Sequence, residues 1–199
     1  GELVVDLWGG VADARTSLPW TSGTSTVVFS CSKGVMSILV ARLVEAGRLE
    51  YDAPLTDIWP EFGACGKDTI TVGDALAHRA GVSAPRRGVD LARALDWEQM
   101  TGLLAEQEPL WEPGSGYAYH ALTHGWLSGE IIRRVTGQTP GEFLRETLAD
   151  PLLADLQLGV PAAQQTGIAH LEAGESLLQH ARSSQTAAQP GVTDWPARA

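Results

Sequence analysis

The chain has 199 residues, 44% hydrophobic and 19% charged, enough for one sizeable core under a water-facing surface. A net charge of −10 argues against nucleic acid and anionic membranes as partners, for which a basic stripe would be expected. Two cysteines, Cys31 and Cys65, are too few for a disulfide framework and too far apart for a usual zinc pair, so both read as free thiols.

No run approaches the ~18 apolar residues of a membrane-crossing helix. The chain has neither a start methionine nor a secretory leader, and it opens inside a β-rich pattern at residues 3–8. The expectation is an internal piece of a longer protein, its compartment open with the cytoplasm as default. Gly9-Gly10 turns the chain, and residues 11–15 read as a second strand. A Ser/Thr/Gly loop over 21–26 and the apolar Val27-Val28-Phe29 lead to the clearest element, a helix over 30–46. Val35, Met36, Ile38, Leu39, Val40, Leu43 and Val44 make most of it apolar, which predicts deep burial. Gly47 is its stop, with Leu49 as the apolar contact beyond.

Tyr51-Asp52-Ala53-Pro54 is turn chemistry. Thr71 with Asp74 resembles a capping box opening a helix over 72–78. Further helices are predicted over about 90–106, 121–136 and 140–149, with Gly137 and Pro140 as punctuation. Residues 156–160 and 167–171 read as strands returning to a sheet, 175–183 as a helix, and the end from Ser184 as loose. The pattern predicts one α+β unit whose antiparallel sheet (1–29 and about 156–172) is incomplete and whose helical region fills 30–155.

Lys33 is one of only two lysines, and it falls in the first turn of the most apolar helix. A cation there opposes the helix dipole, at a cost of roughly 0.3–1 kcal/mol. It shares a face with Met36, Ser37, Val40 and Val44, so its stem is expected to be buried, and a desolvated amine can serve as a base. Ser30 lies three residues earlier on the same face, an arrangement that activates a hydroxyl. The competing reading of Ser30 is a plain helix cap, which leaves Lys33 unexplained, because a capping box wants Glu or Gln there. Trp111-Glu-Pro-Gly-Ser-Gly-Tyr-Ala-Tyr119 is a Pro-Gly turn followed by aromatics, where a tyrosine could relay a proton; half-buried packing is the alternative. No metal-ligand cluster or phosphate-cradling loop is present, so no metal and no cofactor is expected.

Ser30-Cys-Ser-Lys33, Trp111-Glu-Pro-Gly114 and Tyr119 five residues later together resemble the serine β-lactamase superfamily. The nearest likeness is to its class C-like branch of β-lactamases, DD-peptidases and family VIII carboxylesterases. Residues 43–55, Trp59-Pro60 and 70–82 fit the segments between those motifs, so the resemblance covers 1 to about 160. It implies a β-lactamase/transpeptidase-like fold, with Ser30 as the acylated nucleophile, Lys33 as general base and Tyr119, rather than Tyr117, as second base and acid. The Ser30 N–H would form half of an oxyanion hole. His78 would be a structural hydrogen-bonding residue. The branch's Tyr-x-Asn is here Tyr119-His120-Ala121, which favours an esterase over a lactamase; His120 is expected to face solvent or to support the site. The Lys-x-Gly or His-x-Gly strand of the family is not found after Tyr119, so the 199 residues alone are expected to be inactive. The resemblance implies a carboxylesterase on small esters. The alternatives are a β-lactamase or DD-peptidase on the same machinery, and a non-catalytic ligand-binding module. Partners are then an ester or β-lactam and neither nucleic acid nor membrane, with the oligomeric state open.

Overall fold

The computed structural model describes residues 1–179. Backbone contacts divide the chain into two units, Gly1–Phe29 with the described residues from Gly159 onward, and Ser30–Leu158.

In the first unit, β1 (Val11–Asp13) and β2 (Leu18–Pro19) form an antiparallel hairpin with Val11 opposite Pro19. Asp13 ties the turn by accepting from Arg15 Nη2 at 2.7 Å. The chain returns at residues 168–170, where Ala169 N–H donates to the Ser25 carbonyl and His170 N–H to the Ala12 carbonyl, both at 2.8 Å. Two bonds fall short of the strand predicted over 167–171; a 3-10 turn, Ala162–Gly167, occupies the approach. The strand predicted over 3–8 does not form either. A strand exists through its partner, and Leu3 to Trp8 have none among the described residues, with Leu7 88% exposed. Residues 175–179 are helical; the rest of the predicted 175–183 helix and the loose end from Ser184 lie outside the described residues.

The second unit is built on α1 (Cys31–Glu45), which buries Met36, Leu39, Val40 and Leu43. Each such side chain contributes about 1.5–3 kcal/mol by leaving water. The helix is buried on one face, not throughout: Ile38 is 48% exposed, because the opposite face meets nothing in this unit. Gly47, at φ 67°, stops it in the expected way. Its N–H donates to the Val44 carbonyl and that of Arg48 to Leu43, both at 2.9 Å, and Leu49 packs beneath.

Thr71 and Asp74 form the predicted capping box, opening α2 (Val72–Leu76). The helix expected over 90–106 is two, α3 (Leu91–Ala94) and α4 (Trp97–Glu106). Asp96 breaks the run by capping α4 through the Gln99 N–H at 3.0 Å. The central helix α5 (Thr123–Thr136) packs against α1, α2, α4 and α6 (Pro140–Leu144) and ends at Gly137. The 140–149 helix continues through a wider turn at Arg145–Ala149 into α7 (Asp150–Leu152). Residues 156–160, expected as a strand, instead place Leu156 and Leu158 against the helical core, with the Leu158 carbonyl pressed on Gly141.

Two buried charges are resolved by their neighbours. Burial opposes ionisation of Glu130, yet bonds from Arg133, Trp97 and Arg134 hold its carboxyl below the usual range. Lys67 is fully buried, donates to the carbonyls of Ala64 and Gln107, and lies over the Phe62 ring; desolvation lowers its pKa.

Candidate active site

The chain enters α1 through Phe29, whose φ of 47° turns the backbone sharply ahead of the helix. Ser30 occupies the cap position, yet its side chain makes no capping bond. Its Oγ instead receives a hydrogen bond from Lys33 Nζ at 3.1 Å. The plain-cap reading therefore loses its basis. One helical turn brings the hydroxyl and the amine together, as the i, i+3 spacing requires.

Lys33 is half-buried, and its Nζ also donates to the Ala121 carbonyl at 2.7 Å while lying 4.9 Å from the centre of the Tyr119 ring. The position where the related motif carries an asparagine thus contributes through its backbone. The Tyr119 phenol is held below its ordinary pKa, first by its bond with Ser30, then by its bond with Lys33. A hydroxyl, an amine and a phenol meet in one hydrogen-bonded group, in which a proton can pass between any two members. Tyr117 is 68% exposed and is not in that group.

The loop carrying Tyr119 is fastened to the turn after α2. Gly114 N–H donates to the Arg79 carbonyl, Leu110 N–H to Gly81 at 2.7 Å, and Ala118 N–H to His78 at 3.4 Å. Gly81 is required here: at φ 71° a Cβ would lie 2.8 Å from the Trp111 carbonyl oxygen.

His120 is fully buried, so the expectation that it faces solvent gives way to a supporting role. Its Nε2 accepts the Val82 N–H at 3.3 Å and its Nδ1 donates to the Ala118 carbonyl at 2.7 Å, which fixes the tautomer. His124 lies buried 4.9 Å from the His78 ring. Burial pushes both imidazoles down to about 4, so they are neutral near pH 7. The sequence reading missed this buried set; the His120-x-x-x-His124 spacing was the available signal.

A cavity of about 490 Å³ is lined by Ser83, Val89, Met100, Leu122, Thr123 and Trp126 among others. Its size suits a small molecule. Thr123 Oγ1 is buried and has no hydrogen-bond partner among the described residues. Among the described residues, no group of three or more His, Cys, Asp or Glu side chains could hold a metal.

This architecture, helices with a small antiparallel sheet and a Ser-Lys-Tyr group at the start of the buried helix, is β-lactamase/transpeptidase-like. The beta-lactamase family model matches residues 1–196, and the chain belongs to that family. It is 43% identical over 164 residues to the esterase/beta-lactamase LipL of Mycobacterium tuberculosis, covering 82% of this chain and 38% of that protein. A penicillin-binding protein homologue from Caulobacter crescentus superposes with a TM-score of 0.81 at 43% identity, covering 84% of this chain and 45% of that one. A family VIII carboxylesterase does so with a TM-score of 0.81 at 41% identity, over 85% and 47%. The chain thus spans less than half the length of each.

Proposed function

We propose that the protein containing this chain is a carboxylesterase acting on small esters through an acyl-Ser30 intermediate. The observation that carries the reading is the Ser30 hydroxyl, free of capping, held by Lys33 Nζ at 3.1 Å. In acylation Ser30 Oγ attacks the ester carbonyl and its proton passes to Lys33 Nζ. The carbon–oxygen bond to the alcohol breaks, and the alcohol leaves with a proton delivered through Tyr119. Water then attacks the acyl-serine and gives its proton to Tyr119, the bond from the acyl carbon to Ser30 Oγ breaks, and Lys33 Nζ returns the proton to Ser30 as the acid departs. The Ser30 N–H, at the N-terminal end of α1, is the oxyanion donor this chain supplies. The cavity lined by Leu122 and Thr123, which follow Ala121 in the chain, offers room for the apolar part of the substrate. Residues beyond this chain would complete the sheet and the oxyanion hole, in keeping with its share of its relatives' length.

A β-lactam substrate is the second reading, favoured by the name of the mycobacterial relative. Alanine at position 121 weighs toward esters. The test is the intact mass of the full-length protein mixed with p-nitrophenyl butyrate and, separately, nitrocefin. A transient butyryl adduct, mapped to the peptide holding Ser30, is expected from the ester. Accumulation and turnover with nitrocefin alone would make it a lactamase. No adduct from either would make it a non-catalytic module.

A further inference from the structure

His78 follows α2 and has φ 63°, the left-handed region that side chains with a Cβ rarely occupy. The turn places both hydrogen-bonding ends of the residue against one loop. Its carbonyl accepts the Ala118 N–H at 3.4 Å, and its ring Nδ1 accepts the His120 N–H at 3.1 Å. The two amides that flank Tyr119 therefore both end on His78, and the rings of His78 and Tyr119 lie 5.0 Å apart. Accepting an N–H requires a lone pair on Nδ1, so the ring works here only while unprotonated.

We propose that His78 is a positioning residue: its unprotonated Nδ1 clamps the loop that presents Tyr119 to Ser30 and Lys33, and its protonation releases that loop and switches activity off in acid. The inference rests on the acyl-serine reading above. Protonation would turn Nδ1 from acceptor into donor and set it against the His120 N–H.

The groups that face the ring are few. Lys33 reaches it from α1, His124 from α5 at 4.9 Å, and His120 and Tyr117 from the loop at 5.5 and 6.2 Å between ring centres. On the side of α2 itself, the Asp74 carboxylate is engaged by the Thr71 cap and by Arg79, 3.4 Å away. Burial and then the Lys33 charge lower the pKa of His78, so the clamp outlasts the ordinary imidazole range before it opens.

The test uses the full-length protein with His78→Asn and His78→Ala. Asparagine tolerates a left-handed backbone and can place its amide oxygen near the Nδ1 position, but it does not titrate. His78→Asn is expected to keep kcat within about threefold at pH 8 and to lose part of the acid fall-off in its pH profile. His78→Ala is expected to lower kcat by roughly 10- to 100-fold with KM little changed, the scale of an ångström-size misplacement. An independent readout needs no turnover: the His120 backbone amide resonance should titrate with the His78 ring in the wild type and stay flat in His78→Asn. The clamp is overturned by a His78→Ala kcat within threefold of wild type, by His78→Asn as slow as His78→Ala, by a superimposable acid limb, or by a His120 amide indifferent to pH. A wild type whose His120 amide titrates but whose Ser30 never acylates would leave the clamp standing and remove the esterase reading alone.

Discussion

Ser30→Ala in the full-length protein is expected to lower kcat/KM for p-nitrophenyl esters by about 10⁴-fold or more, and Lys33→Met by about 10³- to 10⁴-fold. The second number follows from geometry. Lys33 Nζ is the amine in contact with Ser30 Oγ, and its other bond, to the Ala121 carbonyl, holds it in place. Without it the hydroxyl is left with Tyr119 as its partner among the described residues. Groups that act as one unit are not additive. The double variant Ser30→Ala/Lys33→Met should therefore be no slower than Ser30→Ala alone, both resting on whatever the oxyanion donors and binding supply. Steady-state kinetics on the three variants decides this. A Lys33→Met loss below about tenfold, or a double variant far slower than Ser30→Ala, would separate the lysine from the serine and make it a structural cation.

Acid should unfold the helical unit early. His120 and His124 are buried and neutral, brought from 6.5 down to about 4. Well above pH 6.5 both rings are neutral in the folded and unfolded chain alike, and they take nothing from stability. As pH falls from 6.5 toward 4 the unfolded chain binds two protons that the folded one refuses. Stability is lost at about 1.4 kcal/mol per pH unit per ring, approaching about 3 kcal/mol for each by pH 4. Thermal unfolding of the full-length protein at pH 7.5 and pH 4.5 should show the midpoint falling by several degrees or more. His124→Leu removes one of the two rings, so its midpoint should depend less steeply on pH. Parallel curves for wild type and variant would mean that the ring is protonated in the fold after all.

What the residue pattern disclosed, and what it hid, follows from how local each cause is. Thr71 with Asp74, and Gly47 with Leu49, act within one turn, so capping and stopping are legible from neighbours in the chain. Ser30 and Lys33 are brought together by a single helical turn, and the distance between them was implicit in their spacing. Tyr119 is different: no local rule carries it to α1, and only the resemblance pointed there, whereas the chain does it through His78, Arg79 and Gly81. The β-rich residues 3–8 misled because strand propensity names a candidate and pairing makes the strand. Asp96 sits inside an apparently continuous helical pattern, where a cap and a tolerated interior acid look alike in one dimension. His120 and His124 stand four residues apart, a spacing that hints at a shared site, but their burial comes from the loop contacts at Val82 and Ala118 and from the His78 ring, which no local pattern shows.

The two lysines of these 199 residues sit in opposite circumstances. Lys67 is sealed among carbonyls with none of its surface open, whereas Lys33 is half-open beside Ser30. An amine-directed reagent applied to the native fold therefore has one lysine here within reach. Mild reductive methylation would mark the residue next to the candidate nucleophile, and a ligand seated over Ser30 would shield it. Isotope-labelled methyls placed in this way would turn the scarcity of lysine into a spectroscopic reporter on occupancy of the site.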